Sequence, residues 1–397
     1  MHVEKIVQQL LSSSIHKTRI KTLIVLLYGL IRSKLLRLTL LGRHLDTEGT
    51  ERSAILRVNR FLGNLFYQQN ASQIYGAMTR YVIGNKMRPD IIVDWSSLPN
   101  SHYTTEGGEH CILRASLAAE GRSITLYEEV HSKKKESNPK VHQGFLNGLQ
   151  SILPENCRPC IITDAGFKNP WFKAVAALDW DYLGRVACGS VHFDNGEGFQ
   201  SVKHLFEQAS TTPKRLGTFV LSKTNALKTT FYVYKEKSKG RHKFTRTSPK
   251  KIATDKDSKK HGKAYREPWV LVSSLEEGYN IAQKVIKKFK SRMTIEESFR
   301  DTKSVEYGFS MNENKTIKPQ RYIVWLMLAA LASLIAWIVG YAGEQQQLQY
   351  HFQANTYRHR RVLSFFYLGC QMIKKKIPCL IDIESIPLLA WGESTLD

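Results

Sequence analysis

The strongest constraint on how this chain folds is a run of 22 residues, Tyr322 to Gly343, without one charged side chain. A helix needs about 20 apolar residues to cross a bilayer, so the run is long enough to span. It is also interrupted by Ser333 and Gly340 and bracketed by Arg321 and Glu344, and no second run resembles it. These features point to a helix buried on all sides rather than to a membrane anchor, and burial requires a domain large enough to surround it. The chain has 397 residues, enough for that and for roughly two or three domains.

Charge sets the second constraint. Lys and Arg total 58 against 35 Asp and Glu, a formal net charge of +23. That excess points to a polyanionic partner, nucleic acid before an anionic membrane surface. Six cysteines in a chain of this length form no disulfide framework, so a reducing, cytoplasmic setting is expected. Cys157 and Cys160 have redox-pair spacing but precede a strand, and they are read as two buried thiols. The apolar run Leu23 to Leu27 comes too late for a secretory leader and is followed by Arg32, Lys34 and Arg37.

Residues 1–85 read as a helical domain. In its last patch, near 50–63, Ala54, Ile55, Val58, Phe61 and Leu62 make an apolar stripe that leaves Arg57 and Arg60 outside. With Leu40 to Leu45 as a partner helix, this patch resembles a helix-turn-helix pair, and DNA contact through Arg57 and Arg60 is expected. From residue 86 the period changes. Ile91-Ile-Val-Asp94 is a β-branched run ending in an acid. Two strands follow, joined by a turn at Ala119-Glu-Gly-Arg122. A helix over 142–153 comes next, then a second apolar strand, Cys160-Ile-Ile-Thr-Asp164, also ending in an acid. A helix with Pro170 at its start and a strand over 182–187 complete the series. Strand, hairpin, helix, strand, helix, strand suits an α/β fold with a ribonuclease-H-like mixed sheet over 86–194.

Residues 195–270 read as a β-rich insertion packed beside that sheet. It carries a basic loop, 235–263, with twelve Lys and Arg against three acids. The core is expected to resume over 271–345. A helical and basic region, 346–397, follows with Arg358, Arg360, Arg361 and Lys374 to Lys376, and is a possible dimerisation element.

The chemistry is expected where the two strand-terminal acids meet a third. Phe289 to Lys303 has no Gly or Pro and reads as one helix, with Arg292, Glu296, Phe299, Arg300 and Lys303 on a broad face. One carboxylate in a row of cations suits a divalent metal held beside a polyanion. Asp94, Asp164 and Glu296, gathered at one sheet edge, would hold two Mg²⁺ ions roughly 3.5–4 Å apart, one activating the attacking oxygen and one stabilising the leaving oxygen. Taken singly, either Asp is more often a turn or cap residue, and the helix more often a solvated face laced with ion pairs. The trio beside this cationic helix reverses that weighting.

The motifs together resemble the DDE transposases of the insertion sequence four family. Phe289, Arg292, Glu296 and Lys303 fit that family's signature spacing of aromatic, Arg, Glu and Lys. Val93-Asp94-Trp95-Ser96 and Thr163-Asp164-Ala165-Gly166-Phe167 resemble its first two acid motifs. Leu113-Arg-Ala-Ser, Gly121-Arg-Ser-Ile-Thr-Leu-Tyr127, Glu267-Pro-Trp-Val270 and His351-Phe-Gln-Ala-Asn-Thr356 extend the likeness along most of the chain. It looks closest to the insertion sequence ten branch. The resemblance implies a cut-and-paste transposase that binds inverted-repeat ends as a dimer. Such an enzyme excises its element through a DNA hairpin and joins the 3′ ends to target DNA, in the bacterial nucleoid. It implies Asp94, Asp164 and Glu296 as metal ligands for Mg²⁺, with Mn²⁺ as a substitute. It also implies Arg292 and Lys303 at end phosphates and Trp269 stacking on a flipped base; Phe289 and Arg300, on the same helix, are expected at DNA as well. Phe289 stands where the family usually has Tyr, and it lacks the hydroxyl that reaches a phosphate.

The alternative is a ribonuclease-H-fold nuclease that cuts without joining. A DNA-binding or membrane-attached protein without a working site is a second rival, which the three intact acids oppose. No phosphate-binding Gly-rich loop occurs, so no ATP requirement is expected. Zinc-protease and serine-hydrolase signatures are absent as well.

Overall fold

The computed structural model describes residues 2–99, 109–119, 122–187, 189, 191–237, 244–245, 248–252, 267–354, 356–357, 359–383 and 386. Most of the expected basic loop (238–243, 246–247 and 253–263), the turn residues Glu120 and Gly121, and Arg358 lie outside the described residues. The chain divides into two compact units. The first joins Met1–Pro159 to Met293–Asp397, and the second is Cys160–Arg292.

The first unit opens with six helices: α1 (His2–Leu11), α2 (Lys17–Ser33), α3 (Leu38–Arg43), α4 (Glu51–Leu62), α5 (Leu65–Gln69) and α6 (Ala71–Ile83). Helix α4 starts because the Thr50 side chain accepts a hydrogen bond from the Ser53 N–H, satisfying one of the first-turn donors. Its apolar stripe, Ala54, Val58, Phe61 and Leu62, is buried. Helix α3 packs so closely on it that a Cβ on Gly42 would stand 2.6 Å from the Ile55 Cα.

Three antiparallel strands follow, β1 (Asp90–Ser97), β2 (His110–Ala118) and β3 (Ser123–Ser132), with β2 in the centre. Asp94 does not end β1. The ladder continues through Trp95, Ser96 and Ser97, which pair with Leu113, Ile112 and Cys111. Helix α7 (Pro139–Ile152) is capped by Asn138, which accepts from the Lys140 and Val141 N–H groups.

The second unit holds β4 (Cys160–Thr163), α8 (Asn169–Ala176), β5 (Asp181–Arg185), β6 (His192–Asp194), β7 (Phe199–Ser201), β8 (Lys214–Leu221), β9 (Leu227–Tyr234), a small hairpin β10 (Phe244–Thr245) and β11 (Ser248–Ile252), and β12 (Trp269–Ser273), and ends with α9 (Ile281–Ser291). Within it the sheet order is β4-β5-β12-β9-β8-β6-β7. Among the described residues of this unit only β4 and β5 run parallel, so the sheet is of mixed sense. The expected insertion therefore does not pack beside the sheet. Through β12, which pairs with β5 on one side and β9 on the other, it continues the sheet edge to edge.

Back in the first unit come α10 (Thr294–Lys303), α11 (Pro319–Gln345) and α12 (Phe365–Lys374). The expected single helix over 289–303 is thus two helices. At the junction the Arg292 N–H bonds to the Phe289 carbonyl, a tighter turn than an α-helix makes, and the ladder restarts at Thr294. The uncharged run forms most of α11, and its most apolar stretch is buried inside the first unit. Helix α12 crosses it at backbone contact, where a Cβ on Gly340 would stand 1.9 Å from the Phe365 carbonyl oxygen.

Candidate metal and nucleic-acid site

Two of the three acids lie in the first unit and one in the second. Asp94 is buried in β1, and its Oδ1 accepts the Trp95 N–H at 2.8 Å. Glu296 is exposed in the first turn of α10, where the helix N-terminus favours a negative charge. Asp164 follows β4 directly. It is half-buried, and its Oδ1 accepts the Gly166 N–H at 2.8 Å, which shapes the turn leaving the strand.

Helix α10 is seated on the sheet of the first unit by buried polar contacts. Asp94, Arg114 and Glu128 are cross-strand partners on β1, β2 and β3, so their side chains rise from one face of the sheet. Arg114, 1% exposed, is paired to Glu128 at 2.7 Å. It also donates to the Ser298 and Thr302 hydroxyls of α10, at 3.0 Å each. Its guanidinium lies 4.3 Å from the Phe299 ring centroid. The second oxygen of Glu128 accepts the Tyr75 hydroxyl at 3.0 Å, so both carboxylate oxygens and all three guanidinium nitrogens of the pair have partners.

Lys303 closes the same contact at the far end of α10. Its Nζ donates to the Ser96 Oγ at 2.6 Å and to the Ser97 carbonyl. Ser96, two residues from Asp94, shares its face of β1. Burial, reinforced by the Arg114 guanidinium, lowers the Lys303 ammonium to about 8, while Glu128 and Glu296 pull the other way. On the next ridge Arg122 bonds Asp301 at 2.9 Å and Glu297 at 3.2 Å. Burial pushes the Asp301 carboxyl up to about 6 against the pull of Arg122.

The other expected contacts are distributed as follows. Arg300 is exposed, pairs with Glu297, and lies 5.4 Å from the Tyr307 ring. Arg57 and Arg60 are exposed on α4. In the second unit Trp269 is half-buried, with Phe289 edge-on at 5.2 Å and Tyr234 at 5.5 Å. Phe289 itself is buried, and half-buried Arg292 lies 6.0 Å from its ring.

Three hard carboxylates suit Mg²⁺ better than a softer ion. Among the described residues, however, no group of three or more His, Cys, Asp or Glu side chains is arranged to hold a metal ion. The donor chemistry fits the metal. Mg²⁺ commonly binds through one or two carboxylates, with substrate phosphates and water completing its shell. Arg114 lies in Leu113-Arg-Ala-Ser, one of the matching segments, yet the motifs assign no role to it or to Glu128. The signal available was a charge within an otherwise apolar strand, which must find a partner.

A family model described as a transposase DDE domain matches residues 85–335. Comparison with curated proteins gives no match. Among solved structures, the cryo-EM structure of a piggyBac transposase synaptic complex with hairpin DNA aligns with 91% of this chain and 77% of its own, at TM-score 0.38 and 12% identity.

Proposed function

Because the chain belongs to the DDE transposase family, whose model spans 85–335, we propose that it is a cut-and-paste transposase of the insertion sequence four group, nearest the insertion sequence ten branch. DDE transposases are DNA-acting enzymes that depend on divalent metal ions, typically Mg²⁺. The finer reading is that this chain binds the inverted-repeat ends of its element as a homodimer. It excises the element through a hairpin and joins the 3′ ends to target DNA, using a ribonuclease-H-like core and no ATP. The observation that carries this reading is the family match, which takes in Asp94, Asp164 and Glu296 together.

Those three carboxylates would hold Mg²⁺, which supplies an activated oxygen nucleophile and charge neutralisation at phosphorus. The chain's own residues do the positioning. Arg114 and Lys303 seat α10 on the sheet face that bears Asp94. Lys303, half-buried beside that face, and exposed Arg300 are suited to hold phosphate oxygens, and Arg292 would do so from the end of α9. Trp269 would stack on an unpaired base, with Phe289 buttressing its edge.

The test uses the full chain, Mg²⁺, and duplexes carrying the short inverted repeats expected in the DNA flanking its gene. Pre-cut ends with free 3′-hydroxyls should be inserted covalently into a plasmid. Hydrolysis without joining would give the nuclease alternative the field, and no metal-dependent cutting at all would overturn both.

A further inference from the structure

We propose that Arg114 is a positioning residue for the metal-binding carboxylates, an inference that rests on the transposase reading above. Arg114 stands directly across the ladder from Asp94, on the same face, and is bound on its far side by Glu128. Because Glu128 meets the guanidinium charge and Tyr75 completes the shell of Glu128, the arginine does not have to turn to Asp94 for a counter-ion. Its two NH₂ groups also donate to Ser298 and Thr302, four residues apart on α10, the second of them while facing Glu128. Two bonds one helical turn apart fix both the rotation and the sliding position of a helix, which a single bond cannot do. Glu296 lies in the first turn of that helix and Lys303 ends it. One buried side chain therefore sets where the third acid of the trio stands relative to the strand that carries the first.

A planar guanidinium is needed for this. Lysine would keep the charge opposite Glu128 but presents no fork to reach two hydroxyls at once. A buried arginine serving stability alone would be replaceable by any change that keeps the fold. One serving position would not be, because metal sites tolerate little displacement of a ligand.

The experiment compares three forms of the full chain with wild type: Arg114→Lys, the pair Ser298→Ala with Thr302→Val, and the exchange Ser298→Thr with Thr302→Ser, which retains both hydroxyls. Mn²⁺ affinity is read by electron paramagnetic resonance, DNA affinity by fluorescence anisotropy, melting temperature by calorimetry, and cleavage against Mg²⁺ concentration. Arg114→Lys and the hydroxyl-free pair should weaken Mn²⁺ binding about tenfold and raise the Mg²⁺ concentration for half-maximal cleavage by the same factor. DNA affinity should stay within about twofold of wild type, and the hydroxyl exchange should restore metal affinity. Metal affinity that is unchanged in both weakened forms, or that follows melting temperature rather than the presence of the hydroxyls, overturns the proposal. A wild type that binds no metal and cuts no DNA would instead remove the transposase reading beneath it.

Discussion

At the residue scale the chain depends on charges placed where water is scarce, and each has a definite consequence. Asp94→Asn and Glu296→Gln keep size and polarity but lose the anionic oxygens a hard cation needs. Each should lower Mg²⁺-dependent strand cleavage by about a thousandfold or more while leaving duplex binding intact; retained cleavage in either variant would strike that residue from the site. A second consequence concerns His142 on α7. Its Nε2 accepts the Trp95 indole N–H at 3.3 Å, so the neutral ring must carry its proton on Nδ1. Burial, then the neighbouring His131, lowers its pKa from the usual 6.5 to about 4. Between those values the unfolded chain takes up a proton that the folded chain refuses. The folded state therefore loses stability as pH falls from about 6.5 toward 4, by about 2–3 kcal/mol in all. Urea unfolding at pH 7.5 and pH 5 should show a little over half of that loss in wild type and a smaller one in His142→Gln. An equal loss in both would place the titration elsewhere.

At the element scale, the strands were the readable part of the sequence. Ile91-Ile-Val and Cys160-Ile-Ile-Thr are β-branched runs with no other comfortable conformation, and they form β1 and β4. The end of β1 was not readable, because Trp95-Ser-Ser is held in the sheet by pairing with β2 rather than by its own preference. The break between α9 and α10 left no mark either. Arg292 and Met293 keep helical dihedrals, and neither is a helix breaker, so only the hydrogen-bond ladder records the interruption. Helix α11 was legible from its missing charges alone, since an uncharged run of that length must be buried somewhere. What was not legible is how α12 meets it, through glycines. A methyl group at Gly340 would run into the Phe365 carbonyl, and one at Gly369 would stand 1.8 Å from the Ala336 carbonyl oxygen. Backbone cannot yield there without separating the two helices. Gly340→Ala should therefore cost about 3 kcal/mol by overpacking, read as a lower urea midpoint with an unchanged slope. A neutral result would show that the helices separate freely.

At the scale of the whole molecule, the dominant property is a net charge of +23 carried by a protein whose family acts on DNA. Charge of this kind acts through counterion release: each phosphate neutralised lowers the log–log slope of affinity against salt by about 0.9. If this surplus is engaged with a duplex at six or more phosphates, affinity should fall about a thousandfold between 50 and 200 mM salt. Arg57 and Arg60 are the residues on which to test how far the binding surface extends, because they are exposed on α4, outside its buried stripe. Arg57→Gln with Arg60→Gln removes two charges without touching the core of the helical region. If both arginines meet phosphate, the salt slope should become shallower by about 2, with the melting temperature unchanged. Loss of affinity at an unchanged slope would mean that they act through bases or through folding. No change in either would confine DNA to other surfaces of the chain. The measurement separates these outcomes because stability and phosphate contact are read by different observables on the same variant.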